Sequence, residues 1–165
     1  MIVLDASAAV SALLNDGEAR RMMATDAVHV PHLIDAEVAN GLRRQARSGS
    51  VAPAAAWAAL DAWRRAGVRR YPIPGLLERV WELRENVTSY DACYVALAEE
   101  LRCALVTADA QLARAPGVRC TVTVVPSSVD GSPVAPTLVV SDRHGRTPVG
   151  SPTVPSVPWT VGTFL

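Results

Sequence analysis

The chain has 165 residues, half of them apolar, and a formal net charge of zero. That suits one globular domain with a real core and argues against a disordered chain. Zero net charge gives no whole-molecule argument for nucleic-acid binding. All sixteen basic residues are Arg, which excludes any mechanism that needs a Lys. No apolar run reaches the roughly 18 residues of a membrane span, and the N-terminus lacks the basic-then-apolar pattern of a secretory leader. Cys93, Cys103 and Cys120 form no C-x-x-C, which fits a reducing compartment. The expectation is a cytoplasmic protein with no membrane contact. His29, His32 and His144 have no zinc-ligand spacing.

Ile2-Val3-Leu4 reads as a short buried strand, two of its three residues β-branched. Ala6 to Leu14 reads as a helix, stopped by Asn15-Asp16-Gly17, and Glu18 to Ala24 as a second. Val28 to Val30 is a strand closed by Pro31. Leu33 to Arg47 has helical periodicity and ends at Ser48-Gly49-Ser50. Pro53 suits the first turn of a helix to about Arg65. Val68 to Ile73 has strand character, and Pro74 opens a helix to about Arg84. Asn86 to Ser89 is a loop, and Tyr90 to Leu101 a strongly apolar helix. Ala104 to Thr107 is a buried strand, Ala110 to Arg114 a helical turn or two, and Cys120 to Val125 the last strand. Five strands alternating with helices predict a parallel sheet flanked by helices on both faces.

Composition changes at Pro126. Residues 127–165 are rich in Pro, Ser, Val, Gly and Thr, too poor in buriable surface for a core, and are expected to be extended or disordered. Thr137 to Val140 is their one strand candidate, with docking on the sheet edge as an option.

The chemistry rests on four carboxylates. Asp5 follows the first strand and Asp109 follows the fourth, where ligands of open α/β sheets bind. Glu37 lies inside the apolar arc of Leu33, Ile34, Val38 and Gly41, a costly place for an unpaired acid. Asp91 shares a side with Tyr94, Val95, Ala98 and Leu101. Each has a bland alternative. Asp5 and Asp109 can cap the next helix, Glu37 can pair with an Arg, and Thr88-Ser89-Tyr90-Asp91 matches a capping box. If the first and fourth strands are neighbours, all four acids can converge on one crevice. Four carboxylates in a small space need a compensating cation. Hard oxygen donors without His or Cys select Mg²⁺ or Mn²⁺, which suits phosphoryl chemistry. The groups Arg43, Arg44, Arg47 and Arg64, Arg65, Arg69, Arg70 can bind phosphate by a bidentate fork or serve as solvated helix faces. Asp35 falls off the apolar arc of its helix and outside the set.

Four segments together resemble the PIN-domain family, and more narrowly its VapC-type toxin ribonucleases. They are Ile2-Val3-Leu4-Asp5-Ala6-Ser7, Glu37-Val38-Ala39-Asn40-Gly41-Leu42-Arg43-Arg44, Tyr90-Asp91-Ala92-Cys93-Tyr94-Val95-Ala96-Leu97-Ala98, and Leu105-Val106-Thr107-Ala108-Asp109-Ala110-Gln111-Leu112. The resemblance covers residues 1–126, and the tail departs from it. It implies an α/β, PIN-like (Rossmann-like) sandwich and a Mg²⁺- or Mn²⁺-dependent endoribonuclease. It further implies a homodimer, an RNA substrate and a cognate antitoxin. In that reading Asp5, Glu37, Asp91 and Asp109 hold the metal and orient the attacking water, with Asp5 and Asp91 closest to it. Ser7, Asn40 and Thr107 support them or position substrate, and Arg43, Arg44 and Arg47 contact RNA phosphates.

Other classes fit less well. A phosphoryl-accepting receiver domain needs a Lys. A haloacid-dehalogenase-like phosphatase wants Asp where Ser7 stands. A P-loop enzyme needs its Gly-Lys-Ser/Thr turn. The remaining alternative is a catalytically silent PIN-like module that binds RNA or an antitoxin. The complete acidic set argues against it.

Overall fold

The structure is a computed structural model and describes residues 1–126. The strand expected at 137–140 and the extended or disordered tail lie outside the described residues.

The elements run β1 (Ile2–Leu4), α1 (Ala6–Leu14), α2 (Glu18–Thr25), β2 (Val28–Pro31), α3 (Ile34–Arg47), α4 (Pro53–Arg65) and β3 (Arg69–Tyr71). A 3₁₀ turn (Pro74–Leu76) leads into α5 (Leu77–Glu82) and α6 (Ser89–Leu101). β4 (Ala104–Thr107), a second 3₁₀ turn (Leu112–Arg114) and β5 (Val122–Val124) complete the fold. All strand pairs are parallel, in the order β3-β2-β1-β4-β5. β1 is central, with β2 on one side and β4 on the other. The strand order reverses there, so a crevice opens at the carboxyl ends of β1 and β4.

β1 and the middle of β4 are buried, which explains their continuous apolar sequences. Small residues set the close layers. Ala8, Ala9 and Ala12 bury one side of α1. At Gly41 of α3 an added Cβ would stand 2.9 Å from Val10 Cγ2 of α1, so glycine permits that approach.

Several boundaries differ from the sequence reading. Pro31 lies inside β2, at its end, paired with Tyr71, where a missing N–H is tolerated. β3 is shorter than expected because Pro72 follows Tyr71 and cannot extend the ladder. The expected helix from Pro74 begins as a 3₁₀ turn across Gly75, a weak helix former. α6 departs furthest: Ala92 through Ala98 are all buried, so it has no single apolar face. It packs on β1, β2 and β4 and is covered by α5. Its last turn closes on Arg102, at φ 52°, a left-handed position usually held by glycine.

Arg79 ties this region together. Its Nε donates to Glu99 Oε2 at 2.7 Å, one Nη to Glu82 at 2.7 Å, and the other to the Gly117 carbonyl at 2.6 Å. The Arg119 amide also donates to Glu99, at 2.8 Å. These bonds pin α5 and the approach to β5 onto α6.

Candidate active site

Asp5 stands at the N-cap position of α1, yet its side chain caps nothing. Instead its Oδ2 accepts from Ser7 Oγ and from Thr107 Oγ1, both at 2.6 Å. Asp5 is 6% exposed and Thr107 fully buried. The Thr107 hydroxyl also accepts from the Asp109 amide at 3.0 Å, and Ser7 Oγ from the Ala108 amide at 2.9 Å. The Asp5 amide donates to the Val106 carbonyl at 2.9 Å. A hydroxyl web thus locks the loop after β1 to the loop after β4.

Glu37 sits on the inner side of α3. Its Oε2 accepts from the Tyr94 hydroxyl at 2.5 Å, across from α6. No Arg among the described residues pairs with it. Burial, with the charges of Asp5 and Asp91, raises its carboxyl above the usual range, against the Tyr94 bond and the nearby Arg44. Burial and the Glu37 bond likewise push the Tyr94 hydroxyl well up, so it stays a proton donor to Glu37.

Asp91 is the third residue of α6. The Thr88 hydroxyl accepts from its amide at 3.2 Å and donates to its Oδ2 at 2.6 Å. The amide bond is the expected cap, but the carboxylate closes onto the hydroxyl rather than onto the cap's backbone N–H. Burial, then the charges of Asp5 and Asp109, raises its carboxyl. Asp109 is exposed, and its Oδ1 accepts from the Gln111 amide at 2.8 Å. That captured turn delays the helix expected at Ala110 to Leu112.

A pattern runs through all four. Each carboxylate has one oxygen fixed by a hydroxyl or an amide and a second oxygen without a hydrogen-bond partner among the described residues. Glu37 and Asp91 each feel Asp5, Glu37 also feels Asp91, and Asp91 also feels Asp109. The acids therefore gather negative charge on one crevice, opposed at Glu37 by Arg44. As they stand, no three acidic, His or Cys side chains among the described residues converge closely enough to hold one ion. The donor chemistry nevertheless fits a hard divalent cation, because only carboxylate oxygens are offered. The neighbouring Cys93 thiol is pushed up by burial and by Glu37, which keeps it protonated and a poor metal ligand.

The supporting residues divide. Ser7 and Thr107 bond the site directly. Asn40 is exposed, and its Oδ1 accepts from Arg43 Nε at 3.2 Å and Nη2 at 2.7 Å. Arg44 lies within electrostatic reach of Glu37, and Arg47 is exposed. Arg64 and Arg65 pair with Asp61, and Arg70 pairs with Asp35, which also accepts from Trp63 Nε1. The sequence reading missed Tyr94 as a partner of Glu37. Its signal was a phenol inside the apolar run from Ala92 to Ala98, since a buried hydroxyl needs an acceptor. Thr88 was seen only as a cap.

A family model described as PIN domain matches residues 2–118. A VapC ribonuclease of Mycobacterium bovis is 56% identical over 126 residues, covering 76% of this chain and 99% of its own. Two solved structures share the fold. VapC20 of Mycobacterium tuberculosis, described as a sarcin-ricin loop cleaving toxin, has a TM-score of 0.54 and 20% identity, covering 72% of this chain and 97% of its own. VapBC2 of Rickettsia felis, solved bound to a DNA fragment from its promoter, has a TM-score of 0.55 and 16% identity, covering 76% of this chain and 99% of its own. The fold is that of a PIN domain. The chain belongs to the PIN-domain family, among its VapC-type toxin ribonucleases.

Proposed function

We propose that the chain is a Mg²⁺- or Mn²⁺-dependent endoribonuclease, the toxin of a toxin–antitoxin pair, cutting RNA phosphodiester bonds at this crevice. The observation that carries the reading is the set of four carboxylates, each anchored at one oxygen, two of them raised by burial and then by the charge of the others.

Asp5, Glu37, Asp91 and Asp109 would hold the ion, and Ser7, Thr107, Thr88 and Tyr94 fix their orientation. When bound, a divalent ion supplies Lewis-acid activation of water and neutralises charge on the phosphate and the leaving oxygen. Ser7 and Thr107 keep Asp5 from turning back to cap α1. Arg43, Arg44 and Arg47 lie along one helix and are exposed. They can meet the RNA backbone, Arg43 while braced by Asn40.

An antitoxin partner, a homodimer and a cytoplasmic setting belong to the same proposal. The zero net charge favours a groove built from two copies over tight binding by one. No helix among the described residues is long and apolar enough to cross a membrane.

Asp5→Asn tests the reading. The variant is expected to fold and to lose metal-dependent cutting of a mixed RNA pool. Full activity in that variant would refute the assignment.

A further inference from the structure

An open cavity of about 410 Å³ shares Asp91 and Asp109 with the acidic crevice and extends past them. It runs between the loop joining α5 to α6 and the turn after β4. Asp91 and Asp109 line it together with Arg84, Asn86, Thr88 and Gln111. Whatever fills the cavity is therefore continuous with the reacting phosphate. Its volume is at the low end of small-ligand pockets, about 300–1,000 Å³, which suits one nucleotide unit and excludes a duplex.

The charge of the lining decides which part of a nucleotide belongs there. Its lining holds one guanidinium, that of Arg84, and three carboxylates, those of Glu85, Asp91 and Asp109. Arg84 Nε pairs with Glu85 at 3.2 Å and its Nη1 donates to the Trp81 carbonyl at 3.0 Å. The cavity is thus net negative and its cation is already engaged, which disfavours a phosphate. Arg84 also stacks over the Trp81 indole, 5.0 Å from the ring centroid, and Trp81 is 69% exposed. An exposed indole stacked with the guanidinium of a lining residue is the kind of surface on which an unpaired base stacks. The side chains of Asn86 and Gln111 make no hydrogen bond among the described residues, and both lie on the lining. Each offers a carbonyl and an amide NH₂ to a base edge.

The geometry points to this cavity as the seat of the unpaired base and ribose beside the scissile phosphodiester, with Trp81 and Arg84 stacking and Asn86 and Gln111 reading the base edge. Arg84, Asn86 and Gln111 are then specificity-determining positions and not parts of the metal site. The inference rests on the ribonuclease reading for its substrate class, yet it fails separately from it.

Two measurements test it with the full chain. The first sequences the cut ends of a randomised RNA pool treated with wild type, Asn86→Ala and Gln111→Ala. The expected result is a changed base preference beside the cut in both variants, with cutting retained. The second measures fluorescence anisotropy of a labelled randomised 12-nucleotide RNA on Asp5→Asn protein, with and without Trp81→Ala. Loss of the indole is expected to weaken binding roughly tenfold or more. Unchanged preference and unchanged affinity would overturn the inference. A wild type that binds the pool without cutting it would refute the ribonuclease reading alone, and the anisotropy comparison would still decide this one. Neither cutting nor binding would refute both.

Discussion

Thr107→Val is the sharpest test of how the site is built. Valine keeps the shape of threonine and removes only the hydroxyl. In the fully buried position of Thr107, two short bonds go with it, beside a longer 3.3 Å contact with Ser7 Oγ. One is the 2.6 Å bond donated to the Asp5 carboxylate, of a charge-assisted kind that contributes about 1.5–3 kcal/mol. The other is the 3.0 Å bond accepted from the Asp109 amide, a neutral pair of about 1 kcal/mol. Together they predict a loss of about 2.5–4 kcal/mol. With a urea m-value of about 2 kcal/mol/M, the unfolding midpoint falls by about 1–2 M. The charge-assisted part depends on Asp5 being ionised. In an Asp5→Asn background the same Thr107→Val change should therefore cost about 1 kcal/mol less, which a double-mutant cycle measures. A cost within about 0.5 kcal/mol of zero, or one that is identical in both backgrounds, would refute the hydroxyl-web account.

Other consequences follow from the same geometry. Glu37 and Asp91 have raised native carboxyls, so the folded chain keeps protons that the unfolded chain has released. Stability attributable to them falls as pH rises from the usual carboxylate range through their raised native values. In metal-free buffer, Glu37→Gln should gain on wild type in Tm as pH climbs through that window, and an opposite trend would reject the shared-charge picture. Gly41→Ala should destabilise by about 1–3 kcal/mol through overpacking against Val10, with partial recovery when Val10→Ala is added. Arg79→Met should cost roughly 2–4 kcal/mol by chemical denaturation, because it strands the mostly buried Glu99 carboxylate.

Much of this architecture is legible in the chain. β1, β2 and β4 are short apolar runs between helical patterns, and parallel pairing follows from that alternation. The placement of Asp5 and Asp109 follows too, since both come just after a buried strand. The sheet order brings β1 beside β4, the condition on which their convergence depended. Harder to read were contacts across long separations. Nothing local announces that Tyr94 donates to Glu37, fifty-seven residues away, or that Arg79 gathers Glu82, Glu99 and Gly117. Periodicity misled on α6, because a helix between the sheet and α5 is buried on every side and shows no single apolar stripe. The capping residues show why local signals are ambiguous. Asp5 has the position of a cap and is claimed by two hydroxyls, whereas Asp109 serves its turn with one oxygen and faces outward with the other.

The central claim is that the anchored acids support metal-dependent RNA cutting. The direct measurement is cleavage of a mixed RNA pool by the purified chain in Mg²⁺ or Mn²⁺, beside an EDTA control and an Asp91→Asn control. Cutting that appears with metal and disappears in both controls is the predicted result. Cutting that persists in EDTA, or that Asp91→Asn leaves intact, would contradict the account.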